Sequence, residues 1–190
     1  MSETIRAFIA IDIKKSEIID KMLKVQEELL STGGDIKLVE KENLHITLWF
    51  LGEISSQMIR KIIENTNKIS FEPFKLTISK IGYFPGGNRI NVIWAGIKNG
   101  SYDLRKIFYQ LSEILNPLGF KLEEREFTPH VTLCRVKSSR NKDRLLDKIK
   151  ELSNIEFGVE EVSEIFIKKS TLTPKGPIYS NIHAIQGRKI

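Results

Sequence analysis

A chain of 190 residues with 41% hydrophobic and 28% charged content has ordinary globular composition and is long enough to bury a sizeable core. Lys and Arg outnumber Asp and Glu, 30 to 24, and the net charge of +6 favours anionic partners such as nucleic acid or phosphate esters. The single cysteine, Cys134, excludes an intramolecular disulfide framework and a multi-cysteine zinc site. Met1-Ser2-Glu3 lacks the basic start of a signal peptide, and the apolar run Ala7 to Ile11 is closed by Asp12, too short to cross a bilayer. The expectation is a monomeric cytoplasmic protein.

In chain order, Ile5 to Ile13 is apolar and rich in β-formers, which predicts a strand. Ser16 is placed to cap a helix whose apolar positions Ile18, Ile19, Met22, Leu23, Val25, Leu29 and Leu30 recur at helical spacing until Gly33-Gly34 ends it. Ile36 to Val39 and Leu44 to Leu51 read as strands, Gln57 to Ile69 as a helix and Phe74 to Ile81 as a strand. The turn chemistry of Tyr83-Phe84-Pro85-Gly86-Gly87-Asn88 predicts a loop. Ile90 to Ile97 is a buried strand by composition, Tyr102 to Leu115 a helix ended by Asn116-Pro117, and Phe127 to Val136 a strand. Asp143 to Leu152 reads as a helix, with strands at Val162 to Lys168 and Ile178 to Ala184 joined through Thr173-Pro174-Lys175-Gly176-Pro177.

The segments His45 to Leu48 and His130 to Leu133 both read His-x-Thr-Leu, and His130 follows His45 by the same interval as Ala95 follows Ala10. A strand, a helix and a His-x-Thr strand thus recur, which implies one domain of two related halves, about 1–85 and 86–190, packed about an approximate two-fold axis. Side chains alternate along a strand, so His45 shares a face with Thr47, and His130 with Thr132. If the repeats face one another, two imidazoles and two hydroxyls converge on one cleft. A neutral imidazole can take a proton from water, an imidazolium can give one to a leaving alkoxide, and hydroxyls can bond phosphoryl oxygens. Arg135, just beyond the second motif, adds a fixed cation for phosphate. A histidine in an apolar strand is often a bonded core residue, but packing alone does not demand the same polar pair twice. His183 has no companion threonine and reads as structural. A metal site built on the three histidines lacks acidic or cysteine ligands at usual spacing. A non-catalytic RNA-binding module, with Phe50, Tyr83, Phe84 and Tyr179 in a stacking groove, is the other rival.

Five stretches carry a family resemblance: Arg6 to Asp12, Glu42 to Gly52, Val92 to Gly96, Pro129 to Val136 and Ser170 to Tyr179. On them the chain resembles the 2H phosphoesterase superfamily, in particular its RNA 2′,3′-cyclic phosphodiesterases, historically called 2′-5′ RNA ligases. The resemblance implies an α+β fold of two pseudo-symmetric lobes, each a mostly antiparallel sheet with outer helices, around a central cleft. It implies His45 as general acid toward the 3′ oxygen, His130 as general base for water, Thr47 and Thr132 as phosphate ligands, and Arg135 as the arginine that follows the second motif. The partner expected is RNA with a 2′,3′-cyclic phosphate end, opened to a 2′-phosphomonoester with no cofactor and no metal. The same centre could join that end to a 5′-hydroxyl RNA. Asn91 and Trp49 stand where basic residues are common in the family.

Overall fold

In the computed structural model, which describes residues 4–121 and 127–188, every side chain from Ala7 to Ile11 is buried. Burial on both faces requires a central strand, and this run forms the middle of β1 (Thr4–Asp12). There follow α1 (Ser16–Ser31), β2 (Ile36–Leu38), β3 (His45–Ser55), α2 (Ser56–Thr66), β4 (Phe74–Gly86), β5 (Arg89–Asn99) and α3 (Ser101–Leu115). The second His-x-Thr segment lies on β6 (His130–Val136), before α4 (Lys142–Glu151), β7 (Glu156–Val162), β8 (Glu164–Thr173) and β9 (Gly176–Gln186). The reading of Met1-Ser2-Glu3 lies outside the described residues. No helix among them is long and apolar enough to cross a membrane.

The strands form one curled antiparallel sheet in the order β7-β4-β5-β6-β3-β1-β8-β9, with β2 added beside β6. The order is balanced about its centre, β6 and β3, so each arm holds one His-x-Thr strand and three more. The arms do not follow the sequence halves: β4 pairs with β5 and β7, while β8 pairs with β1. Helix α1 packs over β6 and β7 beside α4, and α3 packs over β3 and β5 beside α2. The apolar faces of these helices, such as Ile18, Met22, Val25 and Leu29 on α1, meet the sheet in one continuous core.

Two local readings are corrected, and one strand that was not read, β7, is added. The loop expected at Tyr83 to Asn88 is largely strand, because β4 runs to Gly86 and pairs there with Arg89 in a tight hairpin. Pro85 is tolerated because the register shifts between Phe84 and Pro85, and because β7 pairs with β4 only as far as Ser79, leaving an edge beyond it. Strand β7 has no readable alternation, since Val159 is exposed and Glu160 buried. Its register shifts opposite Ile78 and Ser79, which breaks the period. Ser16 does not cap α1. The Glu160 carboxylate instead accepts the backbone N–H groups of Lys14 and Lys15 at 3.2 and 3.0 Å, putting negative charge at the helix start.

One buried polar side chain ties the helical layer to the strand of the second motif. Gln26 on α1 is 2% exposed, and its Nε2 donates to the carbonyl oxygens of Leu133 and Val39 at 2.7 and 2.8 Å. Gln26→Met keeps the bulk and removes both donors. It is expected to lower unfolding free energy by about 1–3 kcal/mol, read as a lower denaturation midpoint at unchanged slope. A midpoint equal to that of the parent chain would mean the two carbonyls do not depend on this amide.

Candidate active site

Strands β3 and β6 meet at one registered pair, Ile46 opposite Val131. Both side chains are fully buried on the helical side. Their neighbours His45, Thr47, His130 and Thr132 therefore point to the opposite, open face, where all four are half-buried. Extending the antiparallel register by one residue each way sets His45 beside Thr132 and Thr47 beside His130. The four residues expected to form the cleft are brought together as its floor.

The strand period then breaks in the same way on both sides. Ala10 pairs with Thr47 and Ile9 with Trp49, leaving Leu48 unmatched; Trp94 pairs with Thr132 and Ile93 with Cys134, leaving Leu133 unmatched. Each is a bulge, so two successive side chains turn inward and the next returns to the open face. Trp49, 7% exposed, packs against Phe108 at 5.3 Å on the helical side, so it is a core residue and not a substitute for a basic ligand. Cys134 is fully buried, and burial pushes its thiol up to about 12, which removes it as a nucleophile. Arg135 is returned to the face of His130 and Thr132. Strict alternation would have sent it to the core.

The two imidazoles are held alike. His45 Nδ1 lies 2.6 Å from the Asn43 carbonyl oxygen, and His130 Nδ1 lies 2.7 Å from that of Thr128. A carbonyl only accepts, so Nδ1 carries hydrogen in both rings and Nε2 is the atom that gains or loses a proton. His45 Nε2 sits 3.0 Å from Thr47 Oγ1. Each ring is also walled by aromatics. Phe8 and Tyr179 stand 5.1 and 5.4 Å from His45, and Phe84 and Trp94 stand 5.0 and 6.1 Å from His130. Trp94 lies flat over Gly82, where a Cβ would come within 2.3 Å of its ring, so only glycine lets the indole reach this position.

Desolvation by this burial holds both imidazoles below the ordinary value of 6.5, opposed in each by the carbonyl that accepts from Nδ1. The remaining charges differ. Asp12, opposite His45 in the β1–β3 register, raises His45, while Lys168 and His130 lower it. Arg135 lowers His130. Lys168 is 5% exposed and its Nζ reaches both Asp12 carboxylate oxygens at 2.6 and 2.8 Å, so an ion pair stands behind the first histidine alone. Burial also raises the Tyr179 phenol, while Arg135 and Arg6 act in the opposite sense, so the Arg135 charge reaches both His130 and Tyr179.

Sequence reading missed Asp12, Lys168, Phe8 and Trp94 as parts of the site, and it named Tyr179 and Phe84 only for the stacking groove of a non-catalytic module. The signals present were a carboxylate closing an apolar run and a lysine at the end of another. His183 lies on β9 opposite Ile167, outside the His45–His130 floor. Among the described residues no three His, Cys, Asp or Glu side chains form a group able to hold a metal ion. What the cleft offers is one proton donor or acceptor on each side of a hydroxyl-lined floor, with a cation at its margin.

A family model described as LigT-like phosphoesterase matches the chain twice, over residues 11–94 and 97–179. An RNA 2′,3′-cyclic phosphodiesterase of Methanocaldococcus jannaschii is 45% identical over 93% of this chain and 98% of its own. One of Aeropyrum pernix is 38% identical over 89% of this chain and 96% of its own. Among solved structures, Escherichia coli LigT complexed with 3′-AMP superposes with a TM-score of 0.79, at 23% identity, over 98% of this chain and 100% of that one. The solved structure thus shares the fold, and by the family model and these relatives the chain belongs to the LigT-like phosphoesterase family of the 2H superfamily.

Proposed function

We propose that this protein hydrolyses RNA 2′,3′-cyclic phosphate ends to 2′-phosphomonoesters. The observation that carries the reading is the paired His-Thr floor, in which both Nδ1 atoms are committed to backbone carbonyls, so that Nε2, which in His45 also meets the Thr47 hydroxyl, is the proton-transfer atom of each ring. The phosphodiesterase names of full-length relatives support the substrate, and they favour hydrolysis over ligation. The cyclic phosphate lies between the histidines and accepts hydrogen bonds from Thr47 and Thr132, with Arg135 balancing its charge. His130 Nε2 takes a proton from water as the water oxygen bonds to phosphorus. The bond from phosphorus to O3′ breaks on the opposite side, and protonated His45 gives its Nε2 proton to O3′. One proton enters at His130 and one leaves at His45, so a proton exchange with solvent resets the pair. No metal is required, since a hydrogen-bonded and cationic frame supplies the charge stabilisation.

His45→Ala and His130→Ala are each expected to lower kcat by about 100-fold or more with the fold intact by circular dichroism. Thr47→Val and Thr132→Val should cost nearer tenfold, since each removes one of several donors to the phosphate. Full activity in His130→Ala would overturn the assignment.

The pH dependence of kcat/KM should be bell-shaped, because His130 must be neutral while His45 is protonated. The acid limb follows protonation of the base and the alkaline limb loss of the acid's proton. Both imidazoles are lowered by burial, so the maximum is expected on the acid side of 6.5. A profile that only rises with pH would mean that no imidazole acts as acid.

The assigned roles also fix the product. With the acid at O3′, phosphorus NMR should find the phosphate on the 2′ oxygen, resistant to an enzyme specific for 3′-phosphates. Predominant 3′-phosphate would exchange the roles of His45 and His130.

A further inference from the structure

The aromatic walls of the two imidazoles are held in different ways. Around His130, Trp94 is registered opposite Thr132 in the β5–β6 ladder and Phe84 opposite Val92 in the β4–β5 ladder, so both rings belong to strands inside the sheet. Around His45, Tyr179 comes from β9, the last strand in the sheet order. Strand β1 pairs with β8 only over Ala7 to Ala10, opposite Phe166 to Lys169. Beyond that ladder the pairs Ser170–Tyr179, Thr171–Ile178, Leu172–Pro177 and Thr173–Gly176 form a two-stranded arm. Leu172 and Ile178 on the arm are 66% and 61% exposed, so apolar burial does little to fix it, and a two-stranded ribbon is marginal by itself. Yet Tyr179 is held 4.8 Å from Phe8 and 5.4 Å from His45, ring to ring.

Asn43 spans the gap between the arm and the floor. It ends the short 3-10 turn Lys41–Asn43, two residues before His45, and its Nδ2 donates to the Pro177 carbonyl oxygen at 2.9 Å. Its own carbonyl is the acceptor of His45 Nδ1. One residue thus grips the ring with its main chain and, with its side chain, the strand that carries the ring's aromatic wall. We propose that Asn43 is a positioning residue that ties the β8–β9 arm down over His45, so that Tyr179 closes water away from the acid's side of the cleft. The inference rests on the acid role given to His45 above. The two grips act on the imidazole in opposite senses: burial lowers His45, and the Asn43 carbonyl raises it. Of the charges that face the ring, Asp12 on β1 raises it, and Lys168 on β8 and His130 on β6 lower it; all three lie outside the arm. On the 3-10 turn, Lys41 and Glu42 are exposed and paired with each other at 3.8 Å. The Tyr179 phenol is raised by burial and stays neutral where imidazoles titrate. Freeing the arm should therefore move His45 upward, whereas displacing the carbonyl would move it downward.

The test uses Asn43→Ala, which removes the side-chain donor and keeps the carbonyl. Titration of the imidazoles by nitrogen NMR is expected to place His45 higher than in the parent chain, with His130 unmoved and the alkaline limb of kcat/KM displaced with His45. At the pH maximum kcat should fall by about ten- to a hundredfold, because the acid is no longer confined. Tyr179→Leu leaves the 3-10 turn untouched and should also raise His45. In that background Asn43→Ala should add little, since both changes act through one arm. An unmoved or lowered His45 in either variant, equal shifts of both imidazoles, an undiminished kcat or full additivity overturns the inference and leaves the hydrolase reading in place. A parent enzyme that does not open the cyclic phosphate overturns both.

Discussion

Where Ile46 of β3 meets Val131 of β6, the two arms of the sheet are joined through a single registered pair. Both side chains are fully buried under the helices, and burying an aliphatic chain of this size stabilises by about 1.5–3 kcal/mol. Their period-two neighbours are the four polar residues of the floor, so apolar packing on one face sets the spacing of the chemistry on the other. A slip of one residue in either strand would send that strand's histidine into the core and bring its Ile46 or Val131 to the surface. The hydrophobic pattern thus specifies the register, and the register specifies the site.

Symmetry accounts for the floor and is abandoned around it. Each histidine receives the same backbone acceptor, two residues earlier, and the same kind of bulge follows each threonine. The part-buried Asp12–Lys168 ion pair stands behind His45 only, and of the two histidines Arg135 acts on His130 alone. Removing either member of such an ion pair would leave a charge stranded in low dielectric, which constrains both positions together. Two alike imidazoles can therefore be given different work by charges that the repeat does not duplicate.

The motif strands and the helices between them were legible in the sequence because period and polarity agreed: His45 with Thr47, His130 with Thr132, and the helical stripe from Ile18 to Leu29. What was not legible came from pairing across the chain. Trp49 reads as a cleft residue by strict alternation and becomes core at a bulge that exists only because β1 lies alongside. Strand β7 hides its character because Glu160 is buried to serve the start of α1, a need created far away in sequence. Lys168 looked like an ordinary strand end until Asp12 was beside it. Local pattern predicts what a segment can form, and only the fold supplies its partners.

The exchange of β4 and β8 between the arms bears on how the molecule is made. The arm that holds His45 is completed by β8 and β9, and the Asp12–Lys168 contact spans 156 positions of the chain. During synthesis, the first His-x-Thr strand is therefore available long before the strands that close its arm have been translated. Until then its edge is unpaired and its ion pair unmade, so a nascent or truncated chain would hold both motifs and still lack a finished cleft. Contacts of such long range fold slowly and leave open edges for longer. Ending translation a few strands early would give an aggregation-prone fragment rather than a weaker enzyme, and joining two separately expressed halves would require each to lend the other a strand.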